Sequence, residues 1–434
     1  LRFHSVFLKD SLKGQTKYDT MQRMARATGT TPSNAVQPFE VEAQQVIGRI
    51  RTAFAAILNS LPGRVARAHE VSKAFGVHEK LGWQIANLVY MPDLFAAAHH
   101  IPGATSLHRF FTVAARRRVP GELIDSAKAA MEEFDRLIDT HAGDRESLNM
   151  MLTACASDGA EKAHIAQRQA MFMGGSHIWG VQVQVHAAAY IVQPAEQEDR
   201  FDAVRLRGFK DFRRTRPNVP WVVSRSKTAT DGWKEVGTDV REPLDPSTDA
   251  ACGVPLLRQF CSQPLPRFHR RQGATGFLED VLLDGPIGNT GAMTFYSGEV
   301  TRSVASRYRA PDNEFAEYAV QLRTPVALLV FDQFIHEDLF GPVAPKLHVY
   351  SELAGADIHA DGDHLQVFET VTHLGKGIQV ARTPALPQYH DVVQYAFDRL
   401  GWEAERFDVY RVQMQYPAIP TSVTVRHPMP EAPA

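Results

Sequence analysis

Four side chains in the stretch EVSKAFGVHEKLGWQIANLVY (Glu70–Tyr90) carry the chemistry of base-edge recognition. Gln84 and Asn87 can each bond an adenine edge in bidentate fashion, and Lys80 can reach a guanine edge or a phosphate. His78 stands beside them at the start of the same segment. The charge is thin, since Lys80 sits next to Glu79 and one lysine releases few counterions. Backbone contacts therefore call on Arg64, Arg67, Lys73 and the run Arg116, Arg117 and Arg118.

The elements that must position these groups are two short helices hinged at Gly76. Val71 and Phe75 are apolar, Ser72 and Ala74 are small, and Gly76 stands where the turn needs an unusual backbone angle. Val77 plugs the corner, while Leu81, Ile85 and Leu88 give the second helix a buried stripe. Over these twenty or so residues the stretch resembles the helix-turn-helix of bacterial transcriptional regulators. The apolar residue expected midway along the second helix falls at Leu81, with Gly82 at the usual place. The resemblance implies DNA contact by the second helix through His78, Lys80, Gln84 and Asn87. A plain helical hairpin, with Trp83 turned into an α-bundle core, fits the same pattern.

A second constellation is RFDAVRLRGFKDFRRTRPNVPWVVSRSK (Arg200–Lys227), where nine basic residues against two acids leave a local net charge of +7. Arg205, Arg207, Lys210, Arg213, Arg214 and Arg216 form its centre, with Phe209, Phe212 and Trp221 interleaved. That composition suits phosphate contacts with base stacking, and equally an arginine-rich strand and loop satisfied by nearby acids. A third, DIHADGDHLQVFE (Asp357–Glu369), brings His359, Asp361, Asp363 and His364 close in sequence. Alternating Asp and His on a strand can converge on a divalent cation, but ADGDH is also a tight turn that splays them apart. The turn is the stronger reading, so no metal is assigned. In FDQFIHEDLFGP, Asp332, His336, Glu337 and Asp338 have acid–base chemistry. No nucleophile, phosphate-loop, zinc-protease or dinucleotide motif accompanies them, which argues against an enzyme and gives no cofactor.

Bulk properties set the frame. A chain of 434 residues exceeds one ordinary core, and 44% hydrophobic with 22% charged residues is a folded composition. The net charge of −2 attracts neither nucleic acid nor an anionic membrane globally, so any such partner needs a local patch. Three scattered cysteines make neither a disulfide framework nor a zinc site. No apolar run is long enough for a membrane span, and the chain start lacks a signal peptide, so a cytoplasmic protein is expected.

Along the chain, residues 1–37 read as a flexible arm; residues 1–20 fit either such an arm or upstream sequence, with Met21 or Met24 nearer a natural start. From Pro38 to Gly175 the apolar period is helical, and the last helix is expected to end at the Gly174-Gly175 pair. From residue 176 to 434 it alternates with period two, as in Val181, Val183 and Val185. The expected architecture is α+β and multidomain. A flexible arm precedes an all-α domain over 38–175 carrying the helix-turn-helix. A β-rich, sandwich-like domain over 176–434 follows, with one or two helices such as Gln388–Gly401. The functional expectation is a DNA-binding homo-oligomer without membrane contact, its β domain sensing an unspecified small molecule or mediating assembly. The helix over Pro38–Leu61 is the expected dimer element. A structural assembly protein and a metal-dependent enzyme of the β domain are the alternatives.

Overall fold

The structure is a computed structural model and describes residues 38–61, 65–156, 160–226, 241–247, 253–273, 278–311, 313–341, 343–353 and 361–433. It divides into two compact units, residues 1–160 and 161–434. The division falls fifteen residues before the Gly175 boundary expected from the sequence, because the helix preceding the first strand packs with the β-rich unit.

The first unit is helical. Helix α1 (Phe39–Asn59) begins after Pro38 with Glu40 and Glu42 in its first turn, favourable charges at the positive end of a helix dipole. It buries Ala43, Val46, Ile47, Ile50, Phe54 and Ile57. Short helices α2 (Ala68–Phe75), α3 (Glu79–Tyr90) and α4 (Leu94–Ala98) follow, then α5 (Ala104–Arg116), α6 (Gly121–His141) and α7 (Arg145–Cys155). Ile124, Ala127, Phe134 and Leu137 of α6 join the same core as the α1 stripe. The apolar face of α1 is thus taken inside its own chain, which removes the reason to read it as a dimer element. Phe110 of α5 ties the bundle together, its ring 5.7 Å from Phe54 on α1 and 4.8 Å from Phe75 on α2.

The second unit opens with α8 (Ala160–Trp179), which runs through Gly174 and Gly175 rather than stopping there. The cap is Gly180, in the left-handed conformation. Gly175 serves close packing instead: a Cβ there would meet the Trp179 ring at 2.7 Å. Thirteen strands follow among the described residues. Seven of them build one mixed sheet in the order β11 (Thr372–Lys376), β12 (Phe407–Gln415), β9 (Val326–His336), β1 (Val181–Pro194), β2 (Arg200–Arg214), β7 (Met293–Ser306) and β4 (Arg241–Pro243). Only the central β1–β9 pair is parallel; every other pair is antiparallel.

The alternation along β1 sorts its residues onto two cores. Val185, Ala187, Ala189 and Ile191 face helix α9 (Tyr389–Leu400), which packs through Tyr389, Val392, Val393, Ala396 and Phe397. Ala188 and Val192 face the opposite way, toward a three-stranded sheet of β10 (Lys346–Ser351), β13 (Thr421–Pro428) and β8 (Phe315–Leu322). So the expected sandwich forms on one face of the large sheet, while a helix covers the other. A third small sheet, β3 (Trp221–Ser226), β6 (Leu278–Leu282) and β5 (Phe268–Gln272), packs on Phe209, Phe212 and Phe295. The segment EYAVQLRTPVALLVFDQFIH, continuous in its strand character, is cut into β8 and β9 at residues 323–325, and the two halves enter different sheets.

Two histidines are sealed into this unit. Burial pushes both His186 and His427 down to about 3, so both are neutral in the fold. In an unfolded chain each would titrate near ~6.5. Below that pH the unfolded state binds protons that the folded state refuses, so stability is present above ~6.5 and lost as pH falls toward 3. The cost is about 2 kcal/mol per histidine at pH 5. Urea unfolding of the full chain should show a falling midpoint between pH 7 and pH 5. The fall should be shallower in a His186→Gln, His427→Gln double variant; an unchanged fall would remove these two groups as its source.

Candidate nucleic-acid interface

The α2–α3 pair meets the requirements of a tight helical corner. Glu70 caps the first helix by accepting from the backbone N–H groups of Ala66 and Arg67, both at 2.9 Å. Those bonds hold its carboxyl below the ordinary range. At the far end Gly76 takes φ 63° and ψ 35°, the left-handed conformation that an L side chain resists. His78 then caps α3, its Nδ1 accepting from the Lys80 N–H at 3.2 Å. The helices cross by glycine-on-serine packing. Gly82 is buried against Ser72, and a Cβ on Gly82 would lie 2.1 Å from Ser72 Oγ and 2.7 Å from the Ala68 carbonyl oxygen. Gly82 thus supplies the close approach, with Leu81 and Ile85 filling the core on either side of it.

Neighbouring groups fix the second helix in place. Arg51 of α1 donates to the carbonyls of Leu88, Met91 and Asp93 just beyond and within its last turn. Tyr90 Oη donates to the Val65 carbonyl at 2.9 Å, tying the end of α3 to the start of α2.

Not every residue expected to read a base is free to do so. His78, Lys80 and Lys73 are exposed, and Gln84 is half-buried at the edge of a groove. Asn87 spends its side-chain amide on the Trp83 carbonyl at 2.8 Å, within its own helix, so it is not presented as a bidentate group. Trp83 is not in the core: it is 49% exposed, with its ring edge-on to His100 at 4.7 Å. Arg67 is exposed at the start of α2. Arg116, Arg117 and Arg118 are exposed at the end of α5, where Arg118 itself adopts the left-handed conformation, φ 61°, that ends the helix. Arg117 lies at the turn, its guanidinium 3.6 Å from where a Gly76 side chain would begin. Arg64 lies outside the described residues.

Three contributors escaped the sequence reading: Thr105, Ser106 and Arg109 at the start of α5. With His78, Lys80 and Gln84 they line a groove of about 390 Å³ beside the first turn of α3. Their signal was present, because Leu107, Phe110 and Ala114 mark the buried face of α5 and leave Arg109 outside.

Ion pairing in the unit is confined to two helices. Its ion pairs among the described residues are Arg49–Glu133, Lys128–Asp125 and His141–Glu42, all on α1 and α6. Helix α6 also carries Glu122, Glu132, Asp135 and Asp139. Lys73, Lys80, Arg109, Arg116, Arg117 and Arg118 take part in none of those pairs.

The other two expected constellations come apart. Of the basic stretch, Arg214 is wholly buried and donates to the carbonyls of Val219 and Leu283. Arg205 pairs with Glu299, and Lys210 donates to the Ala385 carbonyl. Arg213 is half-buried, Arg216 is exposed beside Gly180, and Phe209 and Phe212 are core. Arg207 lines a cavity described below. Residues of one sequence run are thus dealt to both faces of β2 and do not make one solvated basic surface. In the Asp/His stretch, His359 and the Asp361 side chain lie outside the described residues. Residues 361–363 form a single helical turn, and His364 packs its ring on Tyr350 and His348. Among the described residues no group of three His, Cys, Asp or Glu side chains gathers to hold a metal. Asp332, of the acid–base group, is buried against Arg411, and Glu337 is bound by Lys376 and Arg406.

The Gly82 contact can be tested against a helical glycine with no such neighbour. Gly82→Ala should destabilise the first unit by about 1–3 kcal/mol through overpacking, although alanine is the better helix former. Gly48→Ala in α1, where a Cβ would meet nothing within 4 Å, should stabilise it by up to about 1 kcal/mol. Urea unfolding of the full chain with far-UV circular dichroism reads both; the same sign for both would refute the packing account.

Comparison of the chain with protein-family models, with curated proteins and with solved structures finds no match.

Proposed function

We propose that the chain is a DNA-binding regulator whose first unit contacts duplex DNA through the α2–Gly76–α3 corner, and whose second unit senses a small molecule. The observation that carries this reading is the cluster of cations without ion-pair partners around that corner. Lys73, Lys80, Arg109 and Arg117 stand there, against Glu70, which is held by backbone N–H groups, and Glu79, the one exposed acid of the corner helices. Unpaired cations are the groups that gain from phosphate contact, by releasing counterions from the duplex. Lys80 and Arg109, with the hydroxyls of Thr105 and Ser106, border one groove and suit a phosphate on either side of an inserted α3. Gln84 is then the group left for a base edge, with Trp83 available for apolar contact. A two-fold dimer would present two such corners to half-sites about 34 Å apart.

A purely structural, self-assembling chain has one observation in its favour. Helix α8 exposes Met171, Met173 and Ile178, apolar side chains of the kind found between subunits. A mass measurement in solution separates a dimer from a large assembly.

Fluorescence anisotropy of the full chain with labelled duplex tests the DNA reading. Binding is expected at about 50 mM salt and should weaken steeply as salt rises. Lys80→Ala with Arg109→Ala should weaken binding at least about tenfold for all sequences and flatten the salt dependence by about two phosphates. Gln84→Ala should relax sequence preference with little change in salt slope. No binding at about 50 mM salt, or indifference to the Lys80 and Arg109 changes, sinks the proposal.

A further inference from the structure

The second unit contains a cavity of about 280 Å³ where its three sheets meet. His186 of β1 with Arg207 and Phe209 of β2 form its floor. Trp221 and Arg225 of β3 close one side, and Gln321, Arg323 and Thr324 the other. Its volume is near the lower end of small-molecule sites, enough for one ring and a short polar group.

Arg207 is the unusual member. Its neighbours in register are Ala188 on β1 and Ser297 on β7, too short to reach it with an acid. The next row shows the ordinary arrangement, with Arg205 flanked by Tyr190 and by Glu299, to which it is paired. Among the described residues, the carboxylates of the surrounding strands are already engaged. Glu299 is shared by Arg205 and Arg241, Glu279 by Arg225 and Arg271, Asp280 is held by Arg270, and Glu352 by Arg323. That leaves seven guanidinium groups against four carboxylates, and Arg207 without an ion pair or hydrogen bond among the described residues. Burial and the Arg205 charge push its guanidinium down to about 10, so it remains a cation at neutral pH.

A second group points the same way. His186 is only 3% exposed, its Nε2 has no hydrogen-bond partner among the described residues, and it borders the cavity. Its ring stacks on Phe209 at 4.4 Å, which fixes its plane, and its neutral form can donate one hydrogen bond. A half-buried cation and a buried imidazole nitrogen, both unpaired, cost free energy unless something completes them. Apolar wall comes from Phe209, Val223 and Trp221, whose indole is held by its N–H donating to Thr324 Oγ1 at 2.8 Å.

We propose that this cavity binds a small monocarboxylate with a planar apolar body, its carboxylate taken by Arg207 and His186 and its body laid against Phe209 and Trp221. One carboxylate answers one unpaired guanidinium, in the two-point geometry that arginine offers and lysine does not. The site gives the second unit a ligand class under the reading of that unit as a sensor. It stands or falls without DNA.

Isothermal titration of the full chain with benzoate, phenylacetate and indole-3-acetate, each beside its neutral amide, tests the proposal. At least one acid should bind saturably, one per chain, at concentrations up to about ten millimolar, the range expected of fragment-sized ligands. Its amide should bind at least tenfold more weakly. Arg207→Met should lose that binding at least tenfold, and Arg207→Lys should fall between. Thermal melts separate a ligand role from a structural one: Arg207→Met, which removes an unpaired, half-buried charge, should melt at or above the parent. Saturable binding by none of the three acids, amides equal to acids, undiminished binding by Arg207→Met, or a melt several degrees below the parent would each overturn the assignment.

Discussion

The large sheet of the second unit is organised around one buried ion pair. Arg411 of β12 and Asp332 of β9 face each other in register, with two hydrogen bonds of 2.8 and 2.7 Å. Asp332 is fully buried and Arg411 nearly so. Removing two charges from water is expensive, and only good geometry with further hydrogen bonds offsets it. Here Arg411 also donates to the Ala381 carbonyl at 2.6 Å, in the turn that leads to α9. A shift of β12 by one residue would strand both charges and turn every apolar side chain of the strand to the wrong face. The pair therefore sets register and the docking of the covering helix together. The separation of the two cores, Val409 and Phe407 toward α9 against Val412 and Met414 toward the small sheet, follows from that register.

Arginine is used in two ways across this unit, and the contrast gives the cavity its meaning. Arg411, Arg205, Arg270 and Arg323 are paired with carboxylates, and Arg214 is bonded to carbonyls. Such groups brace strands and cannot take a ligand without breaking what they hold. Arg207 sits in the same strand as Arg205, two residues on and on the same face, yet between an alanine and a serine. The difference between a brace and a site lies in its cross-strand neighbours.

Much of this was legible in the sequence, and the failures share a cause. The α-then-β order and the corner at Gly76 depend on local periodicity and on one backbone angle, both visible in a single stretch. The odd Gly82, out of place for an apolar plug, was legible as a departure, but its contact with Ser72 needed the crossing of two helices. The basic run from Arg200 misled because a one-dimensional count ignores that strand residues alternate between faces, so its +7 is spent on several partners. The Gly174-Gly175 pair read as a helix stop because glycine's freedom is more familiar than its smallness, and Trp179 required the smallness. Asn87 had the right chemistry at the right spacing, and lost it to a carbonyl one turn back.

Trp83 has a property beyond packing. Its indole is half in water on the outer side of α3, edge-on to the ring of His100. Anything that covers that helix must strip water from it and disturb its contact with the imidazole. The emission of this one indole should therefore move to shorter wavelength when the face is occupied, whatever the occupant. With the other four tryptophans replaced by phenylalanine, the chain carries its own optical sensor at the surface whose use is in question.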